Sequence, residues 1–133
     1  MDEMTATLVD PDVDVIGIRA DDAALLDGAQ IGLAVNIVSM QEMDLDVIAE
    51  YFRLLRSASG TQTAFYCCNR AHKPFYDGTE IRFDDYPWRD DDELLVDEPC
   101  PWSELVYGPK PPFWTRLQHR VQHRLAVLDR QTT

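Results

Sequence analysis

Side chains able to hold a polar ligand crowd the end of one apolar run, Ile31-Gly-Leu-Ala-Val-Asn-Ile-Val-Ser-Met-Gln-Glu-Met43, which turns polar at Asn36 and ends on Ser39, Gln41 and Glu42. In an open α/β sheet the ligand crevice lies outside the carboxyl ends of the strands, where a buried run first shows polar groups. The segment Thr63-Ala-Phe-Tyr-Cys-Cys-Asn69 ends in the same manner, so Cys67, Cys68 and Asn69 are read as lining that crevice too.

Aromatics are dense further along, at Phe75, Tyr76, Phe83, Tyr86, Trp88 and Trp102. Sugar recognition lays a ring over the apolar side of a pyranose and lets carboxylates accept from its hydroxyls, which makes Tyr86, Trp88, Asp97 and Glu98 a candidate acceptor pocket. The competing reading is a lid packed on the sheet, because large aromatics dominate ordinary cores as well. The acids Asp84, Asp85, Asp90, Asp91, Asp92 and Glu93 lack the spacing and the glycine of a calcium loop, and are read as a solvated loop. His119 and His123 have no third ligand nearby in sequence, so no metal site is expected. Cys67, Cys68 and Cys100 form no C-x-x-C pair and are read as reduced crevice or core residues, with Arg70 the one basic neighbour.

These groups need elements to position them. Leu33, Ala34, Val35, Ile37 and Val38 are nearly continuous hydrophobes, the pattern of a strand covered on both faces. Asp44 is a plausible N-cap, and Leu45, Ile48, Phe52 and Leu55 carry a helix that Gly60 stops. With the strand over 63–68 this makes a βαβ unit with parallel strands. His72 to Phe83 reads as a hairpin with Asp77-Gly78 at its tip, Leu94-Leu-Val96 as a strand, and Val13 to Ile18 as a short strand followed by a helix or turn over Asp22 to Asp27. Residues 117–128 fit helical spacing (Leu117, Val121, Leu125, Leu128) and strand alternation (His123, Leu125, Val127) equally well.

Taken in order, Leu33-Ala-Val-Asn36, Ser39-Met-Gln-Glu-Met43, Val47-Ile-Ala-Glu-Tyr-Phe52, Phe65-Tyr-Cys-Cys-Asn-Arg70, Asp77-Gly78, Tyr86-Pro-Trp88 and Asp97-Glu98 resemble the sugar O-methyltransferases, a family of class I S-adenosylmethionine-dependent methyltransferases. The resemblance runs from about Val15 onward. It implies an α/β fold: the second half of a Rossmann-like class I methyltransferase sheet, with a β-hairpin and aromatic insertion and an antiparallel last strand at about His123 to Leu128. The glycine-rich turn and the acidic residue that hold the cofactor in that family have no counterpart here, since the glycines are scattered singly.

The resemblance also assigns roles. Methyl transfer to a hydroxyl needs in-line approach and a group to take the proton. Glu42 is the first candidate for that base and His72 the second, histidine being the side chain that changes charge near neutrality. A helix-capping role for Glu42 competes with the first assignment. Asn36 and Ser39 occupy the place of contacts to S-adenosylmethionine, while Gln41, Asn69, Tyr86, Trp88, Asp97 and Glu98 fall on the acceptor side. The expected function is the acceptor-side half of a sugar O-methyltransferase, inactive without an amino-terminal cofactor-binding half. The alternative is a non-enzymatic remnant or interaction module that pairs through an exposed strand.

Composition bounds the partners. The chain has 133 residues, 45% of them hydrophobic, and a net charge of −12. That supports an acidic leader over residues 1–12 and one incomplete α/β domain over 13–133. Phosphate neutralisation needs a basic surface, so no nucleic-acid partner is expected. No apolar stretch is long enough to cross a bilayer and no targeting signal is visible, which leaves the cytoplasm as the default. An apolar strand over 31–38 without a neighbour would be a template for association, so a homo-oligomer or the missing half is the expected protein partner, beside a sugar or glycoconjugate acceptor.

Overall fold

The computed structural model describes residue 10 and residues 12–60, 62–103, 105–116 and 119–129. Leu33–Ile37 forms strand β1, and the helix that Asp44 opens, α1, runs Leu45–Ser57. The chain then returns as β2, Ala64–Arg70, parallel to β1 with Leu33 opposite Ala64 and Ile37 opposite Cys68. The βαβ unit is therefore present. The hairpin is formed by β3 (His72–Pro74) and β4 (Glu80–Arg82), with Gly78 at its tip in the left-handed region at φ +86°.

Strand β5 spans Glu93–Pro99, a small hairpin pairs β6 (Leu105–Tyr107) with β7 (Trp114–Arg116), and β8 spans Val121–Val127. The strand reading of residues 121–127 thus prevails over the helical one, because β8 inserts between β2 and β5 and alternates across the sheet. The sheet order is β1-β2-β8-β5, with β8 antiparallel to both its neighbours. The last strand alone runs against the other three.

Three expectations are corrected. Residues 13–18 form no strand: Val15 lies in water, and an extended segment without a pairing partner leaves its backbone groups to solvent. A turn of 3-10 helix does follow, over Ala20–Leu26. Strand β1 is covered on one face, not two. The side chains of Leu33, Val35 and Ile37 are 60%, 58% and 59% exposed, while Ala34 packs inward. Most of the acidic run is solvated, but Asp92 is buried. The leader over residues 1–12 and Leu117 lie largely outside the described residues.

The core sits on the face of the sheet that carries Phe65, Cys67 and Ala126, under Ile48 and Phe52 of α1. Phe52 meets Phe65 and Trp88 edge-on at 5.3 and 4.8 Å between ring centroids, and Trp88 stacks on Phe65 at 5.8 Å. Phe83 and Tyr86 close the cluster. Arg124 of β8 lies over the rings of Trp88 and Phe83, at 4.8 and 5.2 Å.

One ion pair fastens this layer. Arg56, in the last turn of α1, donates to Asp92 Oδ1 at 2.6 Å and Oδ2 at 2.8 Å, with both side chains essentially inaccessible. It also donates to the carbonyls of Pro87 and Asp129, while Asp92 accepts from the backbone N–H of Arg89 and Asp129. Burial alone would raise the Asp92 carboxyl, but the Arg56 guanidinium and the two backbone donors outweigh it and hold it below the ordinary aspartate value.

Removing one partner strands the other charge in the core. Asp92→Ala is expected to cost about 3–5 kcal/mol in urea unfolding. A depressed carboxyl binds fewer protons folded than unfolded, so its contribution is complete above the unfolded aspartate value of about 4 and fades as pH falls through the lower folded value. The loss of stability in acid is therefore expected to be shallower in Asp92→Asn than in the parent chain.

Candidate functional site

The carboxyl ends of β1 and β2 carry a lattice of polar side chains. Asn36 Oδ1 accepts from Met40 N–H and from Asn69 Nδ2, and Asn36 Nδ2 donates to Ser39 Oγ at 2.6 Å. Asn69 Oδ1 accepts from Gln41 N–H at 3.2 Å, and Gln41 Oε1 accepts from Arg70 N–H at 2.8 Å. Gln41 Nε2 then donates to Glu42, whose second oxygen pairs with Lys73 of β3. Sequence reasoning placed Asn36, Ser39, Gln41, Glu42 and Asn69 together, and the structure brings all five into one network.

Backbone geometry explains why the lattice is needed. Val38 sits in the left-handed region at φ +56°, where a β-branched residue is strained. Its N–H still bonds Cys68 O at 2.8 Å, and Asn36 fixes the turn that follows by accepting from Met40. The elbow thus leaves β1 at an angle that the side chains of Asn36 and Asn69 hold.

The two candidate bases are not brought together. His72 and Lys73 are successive residues of β3 and point to opposite faces of it. Lys73 turns to Glu42, whereas His72 Nε2 lies 2.8 Å from Glu80 Oε2. Glu42 remains half-exposed at the rim of the lattice.

The expected pocket of Tyr86, Trp88, Asp97 and Glu98 does not form. Tyr86 is buried among core rings, with its hydroxyl unpartnered among the described residues, and burial pushes that phenol up. Trp88 is covered by Phe52, Phe65, Phe83 and Arg124, and its Nε1 donates to Phe83 O. Alternation along β5 parts the two acids. Asp97 points to the core face, taking bonds from Arg124 at 2.8 Å and Gln122 at 2.8 Å, while Glu98 lies 3.5 Å from His123 on the other face. Burial opposes ionisation of Asp97, but those bonds hold its carboxyl below the ordinary range.

Another cleft takes the place of that pocket. Asp44, Leu45 and Asp46 at the start of α1 face Phe75, Asp77, Thr79, Glu80 and Ile81 of the hairpin around a space of about 330 Å³. Lys73 links it to the lattice, because its ammonium pairs with Glu42 and lies 5.1 Å from the centre of the Phe75 ring. Asp77 and Glu80 have partners in Thr79, Arg82 and His72. Asp44 caps no N–H with its side chain, and neither it nor Asp46 takes part in an ion pair among the described residues. Sequence reasoning used Asp44 only as a cap and Asp77 only as a turn residue. Their convergence depends on the hairpin folding back to the start of α1, which no local spacing signals.

Compared with protein-family models, with curated proteins and with solved structures, the chain matches none. The site therefore rests on its own geometry. The described residues contain no group of three or more histidine, cysteine or carboxylate side chains placed to hold a metal ion, and no helix long and apolar enough to cross a membrane.

Asn69→Ala leaves Gln41 N–H and one acceptor lobe of Asn36 without partners and is expected to cost about 1–3 kcal/mol in urea unfolding. Val38→Gly is expected to raise stability by about 1 kcal/mol, since glycine takes a positive φ freely and Val38 buries little. A loss on that substitution would show that the elbow is not strained.

Proposed function

We propose that this chain is the acceptor-side half of an S-adenosylmethionine-dependent sugar O-methyltransferase. In this reading the acceptor lies in the cleft between α1 and the β3–β4 hairpin. The observation that carries it is placement: the polar lattice and the cleft both lie outside the carboxyl ends of the parallel strands β1 and β2, where open α/β sheets bind ligands. Support comes also from a last strand that alone runs antiparallel, as the family resemblance implied for a partial Rossmann-like sheet.

The lining suits a hydroxylated ring. Phe75 offers an apolar surface, and the carboxylates of Asp44 and Asp46 are acceptors for hydroxyl donors. Glu42, held by Gln41 and Lys73 at the edge of the same site, is the group to take a hydroxyl proton; His72 is turned away toward Glu80. The cofactor is a different matter. Asn36 and Ser39 bond each other, and Asn36 bonds Met40 and Asn69 besides, so the residues present do not form a cradle for S-adenosylmethionine. Cofactor binding then belongs to a second half docked along β1.

A second reading has its own observation. Leu33, Val35 and Ile37 form an apolar row on β1 at the edge of the sheet, which suits an interaction module that pairs through that strand without doing chemistry.

Titration of the full chain with simple methyl glycosides, followed by amide chemical shifts, separates the two. The enzyme reading predicts weak binding that shifts Phe75, Thr79 and Asp46, and about a tenfold loss of affinity in Asp44→Asn/Asp46→Asn. It also predicts no heat of binding with S-adenosylmethionine. Glycosides that leave every cleft amide unmoved, with the chain nevertheless self-associating, would point to the interaction module.

A further inference from the structure

A second hairpin, β6–β7, rises from the end of the sheet that carries the polar lattice. Strand β8 begins at Val121 opposite Arg70, the last residue of β2, and β5 ends at Pro99 opposite Gln122. The chain therefore leaves the sheet for β6 and β7 at the carboxyl end of the parallel strands. Its stem is bonded there, since Cys100 N–H donates to Val121 O and Ala71 N–H donates to Arg120 O, both at 2.9 Å. Ala71 leads directly into β3 and so into the hairpin that forms one wall of the cleft.

The β6–β7 ribbon presents aromatic rings to water. Leu105 pairs with Arg116 and Tyr107 with Trp114, and directly opposed residues share a face, so these four side chains line one side of the ribbon. Tyr107 and Trp114 are 63% and 61% exposed with ring centroids 5.3 Å apart, and Phe113 stacks on Tyr107 at 6.3 Å. Single exposed hydrophobes are ordinary, but a contiguous group of them marks a binding surface. Lys110 in the tip and Arg116 at the stem take part in no ion pair among the described residues. No aspartate or glutamate occurs from residue 105 to residue 128, although the whole chain has a net charge of −12. Rings and cations therefore stand together on this ribbon without a competing acid.

We propose that the β6–β7 ribbon is a subsite for uronic acid residues of an oligosaccharide, the sugars that flank the acceptor in the cleft. The inference rests on the reading of that cleft as an acceptor site and names its substrate class. Tyr107 and Trp114 cover the apolar faces of the pyranose rings, while Lys110 and Arg116 pair with their carboxylates, the guanidinium being able to hold both oxygens of one. The acceptor sugar itself is uncharged, because Asp44 and Asp46 line its cleft. Neutral flanking sugars suit the ribbon less well, since it lacks the carboxylates that accept from hydroxyls. With both hairpins at one end of the sheet, an extended chain touches the two of them and a monosaccharide fills only the cleft.

An anionic membrane would meet the same rings and cations, but it is a plane and not a strand. Pressed against such a plane, the ribbon would carry the acids around its stem, the exposed Glu98 among them, toward the lipid charge, and repulsion acts over a Debye length of about 8 Å at physiological ionic strength. A slender oligosaccharide lies along the acid-free ribbon and avoids that cost.

The test titrates the full chain with hexagalacturonate, with maltohexaose and with phosphatidylserine vesicles, following the Trp114 indole and the amides of Tyr107 and Trp114 by NMR. Hexagalacturonate is expected to shift these signals, to bind about tenfold more tightly than the neutral hexasaccharide, and to weaken as salt rises. Lys110→Glu/Arg116→Glu and, separately, Trp114→Ala are each expected to lose about tenfold in affinity. Urea unfolding is expected to stay unchanged in both, because all three side chains are exposed. A ribbon unmoved by hexagalacturonate, equal binding of maltohexaose, or tighter binding to the vesicles than to the uronide would each overturn the proposal. Methyl glycosides that still shift the cleft amides in that event would leave the acceptor reading standing without it. A ribbon that binds uronates beside a cleft that takes no glycoside would support the uronate subsite and defeat the acceptor reading instead.

Discussion

The buried pair of Arg56 and Asp92 is the constraint on which the layered architecture depends. Only one regular α-helix covers this sheet among the described residues, and its C-terminal end is tied by a single side chain to three separate segments. Those segments are the loop at Pro87, the turn at Asp92 and the chain leaving β8 at Asp129. The loop so held is the one that delivers Trp88 between Phe52 and Phe65, and Trp88 in turn supports Arg124. Arg124 reaches Asp97 on β5 and Asp84 beyond the ring cluster, so the influence of the pair extends to the far edge of the sheet. A fully desolvated pair is weak net stabilisation compared with apolar replacements, yet breaking it is costly. It acts here as a register pin for the elements around the core.

With one face packed, the rest of the sheet is left for other work. Its carboxyl end holds the Asn36–Asn69–Gln41 lattice, in which each amide fixes the next and the strained Val38 is kept in place. Rigidity at that end sets the position of Glu42 and, through Lys73, of the Phe75 ring. The β1 edge remains open among the described residues. Gly32 O accepts from Ala64 N–H and Val38 N–H donates to Cys68 O, so the even-numbered residues of β1 bond β2. By the alternation of a parallel ladder the backbone groups of Leu33, Val35 and Ile37 point outward.

Much of this was legible in the sequence, and the rest for identifiable reasons was not. The βαβ unit and the hairpin tip at Gly78 carry strong local signals: apolar runs, a capping aspartate and a turn dipeptide. The strand over 121–127 was ambiguous because two periodicities overlap there, and only insertion between β2 and β5 decides it. Continuous hydrophobicity at Leu33–Val38 predicts burial on both faces, whereas Leu33, Val35 and Ile37 lie exposed on the uncovered face. Tyr86 and Trp88 carry the composition of a sugar site and the location of a core: Tyr86 is buried and Trp88, partly buried, packs against the same cluster. Asp92 could not be told from its acidic neighbours, since its partner Arg56 lies far away along the chain.

Strand β1 is an open edge among the described residues, along which a second half is proposed to complete the site. Native-state amide hydrogen exchange of the full chain alone tests that most directly. The outward amides of Leu33, Val35 and Ile37 are expected to exchange orders of magnitude faster than those of Ala34, Asn36 and Val38, which bond β2. Uniform protection along β1 would show that its edge is already covered and would contradict the account.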